Sequence, residues 1–251
     1  MRKKQLSIIL IFILFVSFSV DSKELRVGLA ELDYPPFYFK EQGKYHGAAL
    51  EVSRTIANRL NHQLVFVRYP WKRIQTYLQS GDVDMMILYF KTPERAKDVV
   101  YVEIPHIYES SDLFVRKNSD IKFKGDLLDL QKYSFGNVRG YSYGDEYNNA
   151  KGIFKQEVNN EEQLIRILAY GRIDIGVGNK AVILRHAKAL GLSDKIRFIE
   201  PPIDISANYI AFSKTRRDAQ ELADEYSEML KVFVKTDEYK AILKKYSLEV
   251  H

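Results

Sequence analysis

The chain has 251 residues, 46% of them apolar, a formal net charge of +5 and no cysteine. Lacking cysteine, it can form no disulfide, no thiolate metal site and no lipid anchor on an N-terminal cysteine. Its lysines and arginines are interleaved with aspartates and glutamates, as on an ordinary solvated surface, which argues against a nucleic-acid partner.

Met1-Arg2-Lys3-Lys4 precedes an apolar run of 15 residues, Leu6 to Val20, and small residues follow at its end. That run is shorter than the roughly 20 residues a spanning helix needs, so residues 1–22 read as a cleavable export signal rather than an anchor. Removing Met1 to Ser22 takes away Arg2, Lys3, Lys4 and Asp21, which lowers the charge from +5 to +3.

From there strand-like and helix-like segments alternate, which predicts α/β architecture with a parallel or mixed sheet. Leu25 to Leu29 reads as a strand, Ala48 to Leu60 as an amphipathic helix with Leu50, Ile56, Ala57 and Leu60 inward, and Leu64 to Val67 as a strand. Ile74 to Leu78 starts a short helix, Val83 to Leu88 is a buried strand, and Pro93 opens a helical turn. Asp82 and Asp84 alternate along a strand start and read as a solvated face. After a strand at Ser111 to Arg116 the pattern restarts: strand Ser134 to Arg139, helix Gly144 to Ala150, helix Glu161 to Tyr170, strand Ile173 to Val177, and a helix to about Leu190 that Asn179 caps. A strand at Asn208 to Phe212 leads to helices Arg216 to Phe233 and Thr236 to Tyr246, the first with one continuous apolar stripe. If the chain crosses to a second lobe near residues 110–116 and returns near 205–212, the final helices cover the first lobe. The expected organisation is then lobe 1 from 23–112 and 207–251, lobe 2 from 113–206, and a two-strand hinge with a cleft between them.

Three segments point at that cleft. Y-P-P-F-Y-F, Tyr34 to Phe39, is a proline-stiffened loop in which Tyr34 is expected to offer a ring to a ligand and Phe37 to plug the core. K-T-P-E-R, Lys91 to Arg95, sets an arginine at a strand's carboxyl end, where its planar fork suits a carboxylate; the other reading is a surface arginine paired with Glu94 or Asp98. R-G-Y-S-Y-G, Arg139 to Gly144, and G-V-G-N, Gly176 to Asn179, each bring glycine and a helix start, where free amides hold an anionic group; Ser142 and Asn179 serve equally as caps. The five histidines show no metal spacing, and the chain is read as having no G-x-S-x-G, Walker or G-x-G-x-x-G motif, so neither catalysis nor a cofactor is expected.

L-R-V-G, Y-P-P-F-Y-F, H-G-A-A-L-E-V-S-R-T-I-A, P-W-K-R, G-D-V-D-M, K-T-P-E-R and G-R-I-D-I-G-V-G-N, in this order, resemble family 3 extracellular solute-binding proteins, which include the amino-acid-binding proteins of ABC importers. The resemblance covers nearly the whole chain after the signal and implies a periplasmic-binding-protein-like α/β fold. It also implies a monomer free in the periplasm, a small-molecule ligand and an ABC permease as partner. By resemblance Arg95 takes the ligand's α-carboxylate, Tyr34 stacks on its side chain, and Ser142 completes the carboxylate site. Trp71 lies in the matching P-W-K-R, Leu88 ends the strand read from Val83 and Tyr141 lies in R-G-Y-S-Y-G, and the expected ligand-binding set is Tyr34, Trp71, Leu88, Arg95, Tyr141, Ser142 and Asn179. Amino-acid binders commonly carry an aspartate where this chain has Asn179, a small hydroxyl residue or glycine near Leu88 and Phe90, and Phe-Asp in place of Ala48-Ala49. An amide at 179 forfeits a charge-assisted bond of about 1.5 to 3 kcal/mol, so either Glu51 or Asp145 compensates or the ligand has no ammonium. The family also resembles cyclohexadienyl dehydratases, for which Glu51, Glu109 and Asp145 are the candidate acids here, and a ligand sensor working through a partner receptor is the third reading.

Overall fold

The computed structural model describes residues 22–249. The export-signal reading therefore falls, except for Ser22, outside the described residues; within them, no helix is long and apolar enough to cross a membrane.

The first half runs β1 (Glu24–Ala30), a hairpin β2 (Phe39–Glu41) and β3 (Lys44–His46), α1 (Ala48–Arg59), β4 (Gln63–Tyr69), α2 (Trp71–Ser80), β5 (Met85–Phe90) and β6 (Val99–Tyr101). Then come β7 (Ile107–Arg116), β8 (Ser134–Val138), α3 (Asp145–Asn149), β9 (Phe154–Val158), α4 (Glu161–Ala169), β10 (Ile175–Gly178), α5 (Lys180–Ala189), β11 (Ile196–Ser213), α6 (Ala219–Phe233) and α7 (Asp237–Lys245). The segments read as strands and helices are all present, while β2, β3, β6 and β9 were not anticipated.

One mixed sheet runs through the molecule in the order β4-β1-β5-β11-β7-β10-β8-β9, with β6 also on β11. β4, β1 and β5 are parallel to one another, as are β10, β8 and β9; β7 and β11 pair antiparallel between the two blocks. β11 is 18 residues long and pairs with β7 over Ile196 to Ile199 and again over Asp204 to Asn208, with a shift between. Pro201 and Pro202 fall in the gap, and without N–H groups they cannot continue the ladder. The boundaries expected at 112/113 and 206/207 lie inside β7 and β11.

Apolar residues close a core on each face of each half. α1, α6 and α7 cover one face of the first block through Leu50, Ile56, Leu222, Tyr226 and Leu243, and α2 covers the other through Ile74 and Leu78. α2 lies so near β1 that a Cβ on Gly28 would come 2.5 Å from Ile74 Cγ2. Asp84 is not the solvated residue its alternation suggests: its carboxylate accepts from the Arg26 amide at 2.7 Å and pairs with Arg216 at 2.6 Å, tying the start of β5 to β1 and to the turn before α6.

Candidate functional site

Tyr34, Trp71, Leu88, Arg95, Tyr141, Ser142 and Asn179 all border one cavity, which encloses about 440 Å³ of empty space, its open mouth included. It lies where β7 and β11 pass between the halves, with Glu109, Ser110 and Asn208 at its strand side.

The loop after β1 folds tightly on itself, the Tyr34 amide donating to Tyr38 O at 2.7 Å and the Tyr38 amide to Tyr34 O at 3.0 Å. This sends Phe37, 1% exposed, into the core and leaves Tyr34 at the cavity, as expected from the sequence. The Tyr34 ring meets Tyr141 edge-on at 6.0 Å, and Tyr141 meets Trp71 edge-on at 5.2 Å, so residues from both halves build one aromatic wall.

Arg95 opens a short 3₁₀ turn. Its Nη1 donates to Phe90 O at 3.0 Å, its Nη2 to Gly140 O at 2.9 Å, and its guanidinium lies 4.2 Å from the Tyr89 ring centre. Glu94 pairs instead with Lys97 at 2.6 Å, and Asp98 accepts from Gln79 at 2.8 Å. Among the described residues no carboxylate lies within ion-pair distance of Arg95. Burial holds its pKa below the usual arginine value, but a guanidinium remains charged. Trp71 Nε1 and Gln75 Nε2 also donate to Gly140 O, at 3.0 and 3.2 Å, so three donors of the first half meet one carbonyl of the second. Gly140 sits at φ +78°, in the left-handed region that favours glycine, and that turn aims its carbonyl across the cleft.

Asn179 caps α5: its Oδ1 accepts from the Ala181 and Val182 amides at 3.1 and 3.3 Å, and its Nδ2 donates to Ser110 O at 3.2 Å. Ser142 is not a cap, because the single-turn α3 starts at Asp145 with Gly144 in the cap position and no side-chain cap; the Ser142 hydroxyl accepts from Asn148 Nδ2 at 2.7 Å. Gly140 to Gly144 spells G-x-S-x-G, which corrects the expectation that this nucleophile pattern is absent. Among the described residues no histidine or carboxylate hydrogen-bonds to Ser142, so the spacing does not bring a triad with it.

Neither acid expected to compensate for Asn179 borders this cavity. Glu51 pairs with Lys245 at 2.6 Å on the far side of α1, and Asp145 borders the adjoining groove. The acid in the cavity is Glu109 on β7, 7% exposed, named above only among candidate general acids. The Tyr34 hydroxyl donates to one of its oxygens and Asn208 Nδ2 to the other at 3.2 Å. Burial pushes its pKa from an ordinary 4.5 to about 7, against the pull of those two hydrogen bonds. Between about pH 4.5 and about pH 7 the folded chain thus holds a proton that the unfolded chain has released, so this group makes stability fall as pH rises through that window. Denaturant melts at about pH 5 and about pH 7.5 should show wild type losing stability relative to Glu109→Gln; parallel behaviour of the two proteins contradicts the burial account.

The family model for bacterial extracellular solute-binding proteins, family 3, matches residues 25–249. The chain belongs to that family. This solute-binding protein is 24% identical to the arginine-binding extracellular protein ArtP of Bacillus subtilis over 231 residues, covering 89% of this chain and 86% of ArtP. A histidine kinase sensor domain with similarity to periplasmic binding proteins superposes with a TM-score of 0.76 at 25% identity, over 90% of this chain and 96% of that one. An ancestral arginine-binding protein bound to glutamine superposes with a TM-score of 0.75 at 27% identity, over 91% of this chain and all of the other. The periplasmic-binding-protein-like fold expected from the sequence, a curled mixed sheet flanked by helices, is therefore that of this solute-binding protein.

Proposed function

We propose that this protein is exported to the periplasm after loss of residues 1–22, captures a small carboxylate-bearing solute, foremost an amino acid, between its lobes, and presents the closed form to an ABC permease. It acts by binding, without turnover. Lobe 1 comprises 23–112 and 207–251, and lobe 2 comprises 113–206. The observation that carries this reading is Arg95: a half-buried guanidinium at the cavity whose oxygen partners are two neutral backbone carbonyls. A carboxylate binds a guanidinium more strongly than a peptide oxygen does, through two parallel charge-assisted bonds, so a ligand carboxylate displaces Gly140 O. Tyr34, Trp71 and Tyr141 then enclose its side chain, Leu88 bounds it on the strand side, and Ser142 and the start of α5 at Asn179 face it from lobe 2. A ligand touching both lobes gains its full set of contacts only in the closed form, and capture is a shift of population toward closure.

Thermal melts against the twenty L-amino acids and a panel of small organic acids test this. At a ligand concentration about a hundredfold above Kd the stabilisation is about 2.7 kcal/mol, which raises Tm by about 5 to 10 °C in a chain of this size. At least one compound of the panel should do so, and no shift with any of them overturns the assignment. The likeness to a histidine kinase sensor domain favours a second reading, in which the closed form engages a receptor instead of a permease. Uptake of the ligand in cells lacking the protein separates the two: transport falls only under the first.

A further inference from the structure

We propose that Glu109 receives a positively charged nitrogen of the ligand, so that the cavity selects solutes bearing an ammonium as well as a carboxylate. The inference rests on Arg95 as the carboxylate anchor and adds the opposite pole of the site.

Glu109 is nine-tenths buried on the central strand β7 and borders the same cavity as Arg95. Each of its oxygens accepts one hydrogen bond, from the Tyr34 hydroxyl and from Asn208 Nδ2, and a carboxylate oxygen has room for a second. The titratable groups whose fields reach it leave its charge unanswered. Tyr34 and Tyr38 on the loop after β1 and Tyr143 on the loop after β8 are neutral. Asp112 on its own strand and Glu161 on α4 are acids that disfavour its ionisation. Arg95 feels its field from across the cavity, but forms no ion pair with it. A buried carboxylate beside two other acids is costly in its charged form until a cation reaches it.

Among the described residues no other side chain bordering the cavity offers an anionic acceptor. Asn179 has its Oδ1 engaged by the amides of α5, and Leu88 and Phe90 have nothing to accept with. A guanidinium and a buried carboxylate bordering one cavity are complementary to a zwitterion, and the acid for its cationic end comes from the hinge strand rather than from the start of α5.

The test is isothermal titration of the purified protein with each of the twenty L-amino acids and, for every one that binds, with the 2-hydroxy acid in which a hydroxyl replaces the ammonium. Wild type should bind the amino acid about ten- to a hundredfold more tightly than its hydroxy acid, and Glu109→Gln should bring that ratio close to one. Binding of the amino acid should also release a proton near neutral pH and tighten as pH rises from about 6 to about 8, because the ammonium drives Glu109 to ionise; the hydroxy acid should do neither. If wild type binds both members of a pair equally, or Glu109→Gln keeps the preference, the role of Glu109 is refuted while solute capture stands. If no amino acid binds, the role of Glu109 is refuted, and capture itself stands or falls on the thermal screen with the small organic acids. If Glu109→Gln does not fold, proton release by wild type decides alone: none on binding an amino acid overturns the proposal.

Discussion

Arg95→Ala should weaken ligand binding by about a hundredfold or more, the largest functional effect expected of any single substitution here. Removing a guanidinium that makes two charge-assisted bonds costs about 3 kcal/mol, which is about a hundredfold in Kd. The fold should survive the change, because Arg95 is only half-buried and its hydrogen bonds go to two backbone carbonyls, Phe90 O and Gly140 O. Arg95→Lys should recover part of the loss: the charge returns, but a single ammonium cannot form the planar fork. Titration calorimetry with the ligand found by the thermal screen, run beside circular dichroism melts, measures both effects. Unchanged affinity in a folded Arg95→Ala protein would remove Arg95 from the site.

Phe114→Ala should lower stability by about 3 to 5 kcal/mol, the largest structural effect expected. Phe114 is fully buried on β7, and its ring lies over Gly176 of β10, where a Cβ would come 2.3 Å from Phe114 Cζ. It also packs at 5.6 Å against the Phe198 ring of β11, so one side chain joins three adjacent strands of the second half. The glycine beneath it supplies no side chain of its own to fill the void. Gly176→Ala alone should destabilise by clashing with the ring, yet in the Phe114→Ala background it should restore part of the stability by filling the space. Urea midpoints of the four proteins form a double-mutant cycle, and additive effects would contradict the packing account.

Much of the fold was legible because its signals are local. α1, α6 and α7 carry apolar residues at three- and four-residue steps, and the structure ends them within a few residues of where those stripes end. β9 was missed because its two apolar residues stand at its ends with three polar residues between, Phe154 facing solvent on an edge strand and Val158 buried. β2, β3 and β6 have three residues each, too few for any period to register. β11 was seen only at its carboxyl end, Asn208 to Phe212; its earlier part holds Pro201 and Pro202, which the strand passes by shifting register against β7. At the site, Arg95, Tyr34 and the two glycine-bearing loops stand at the ends of recognisable strands, and motif spacing could find them. Glu109 could not be found that way. In the run Ile107 to Asp112 a glutamate reads as one more polar residue on an exposed face, and only the burial of β7 between β11 and β10 turns it inward.

A crystal structure of the protein with its tightest-binding amino acid is the most direct measurement of the central claim. The predicted result is a ligand between the lobes, its carboxylate on both Arg95 Nη atoms in place of Gly140 O and its ammonium on Glu109. A ligand bound elsewhere on the surface, with Arg95 still hydrogen-bonded to Gly140 O, would contradict it.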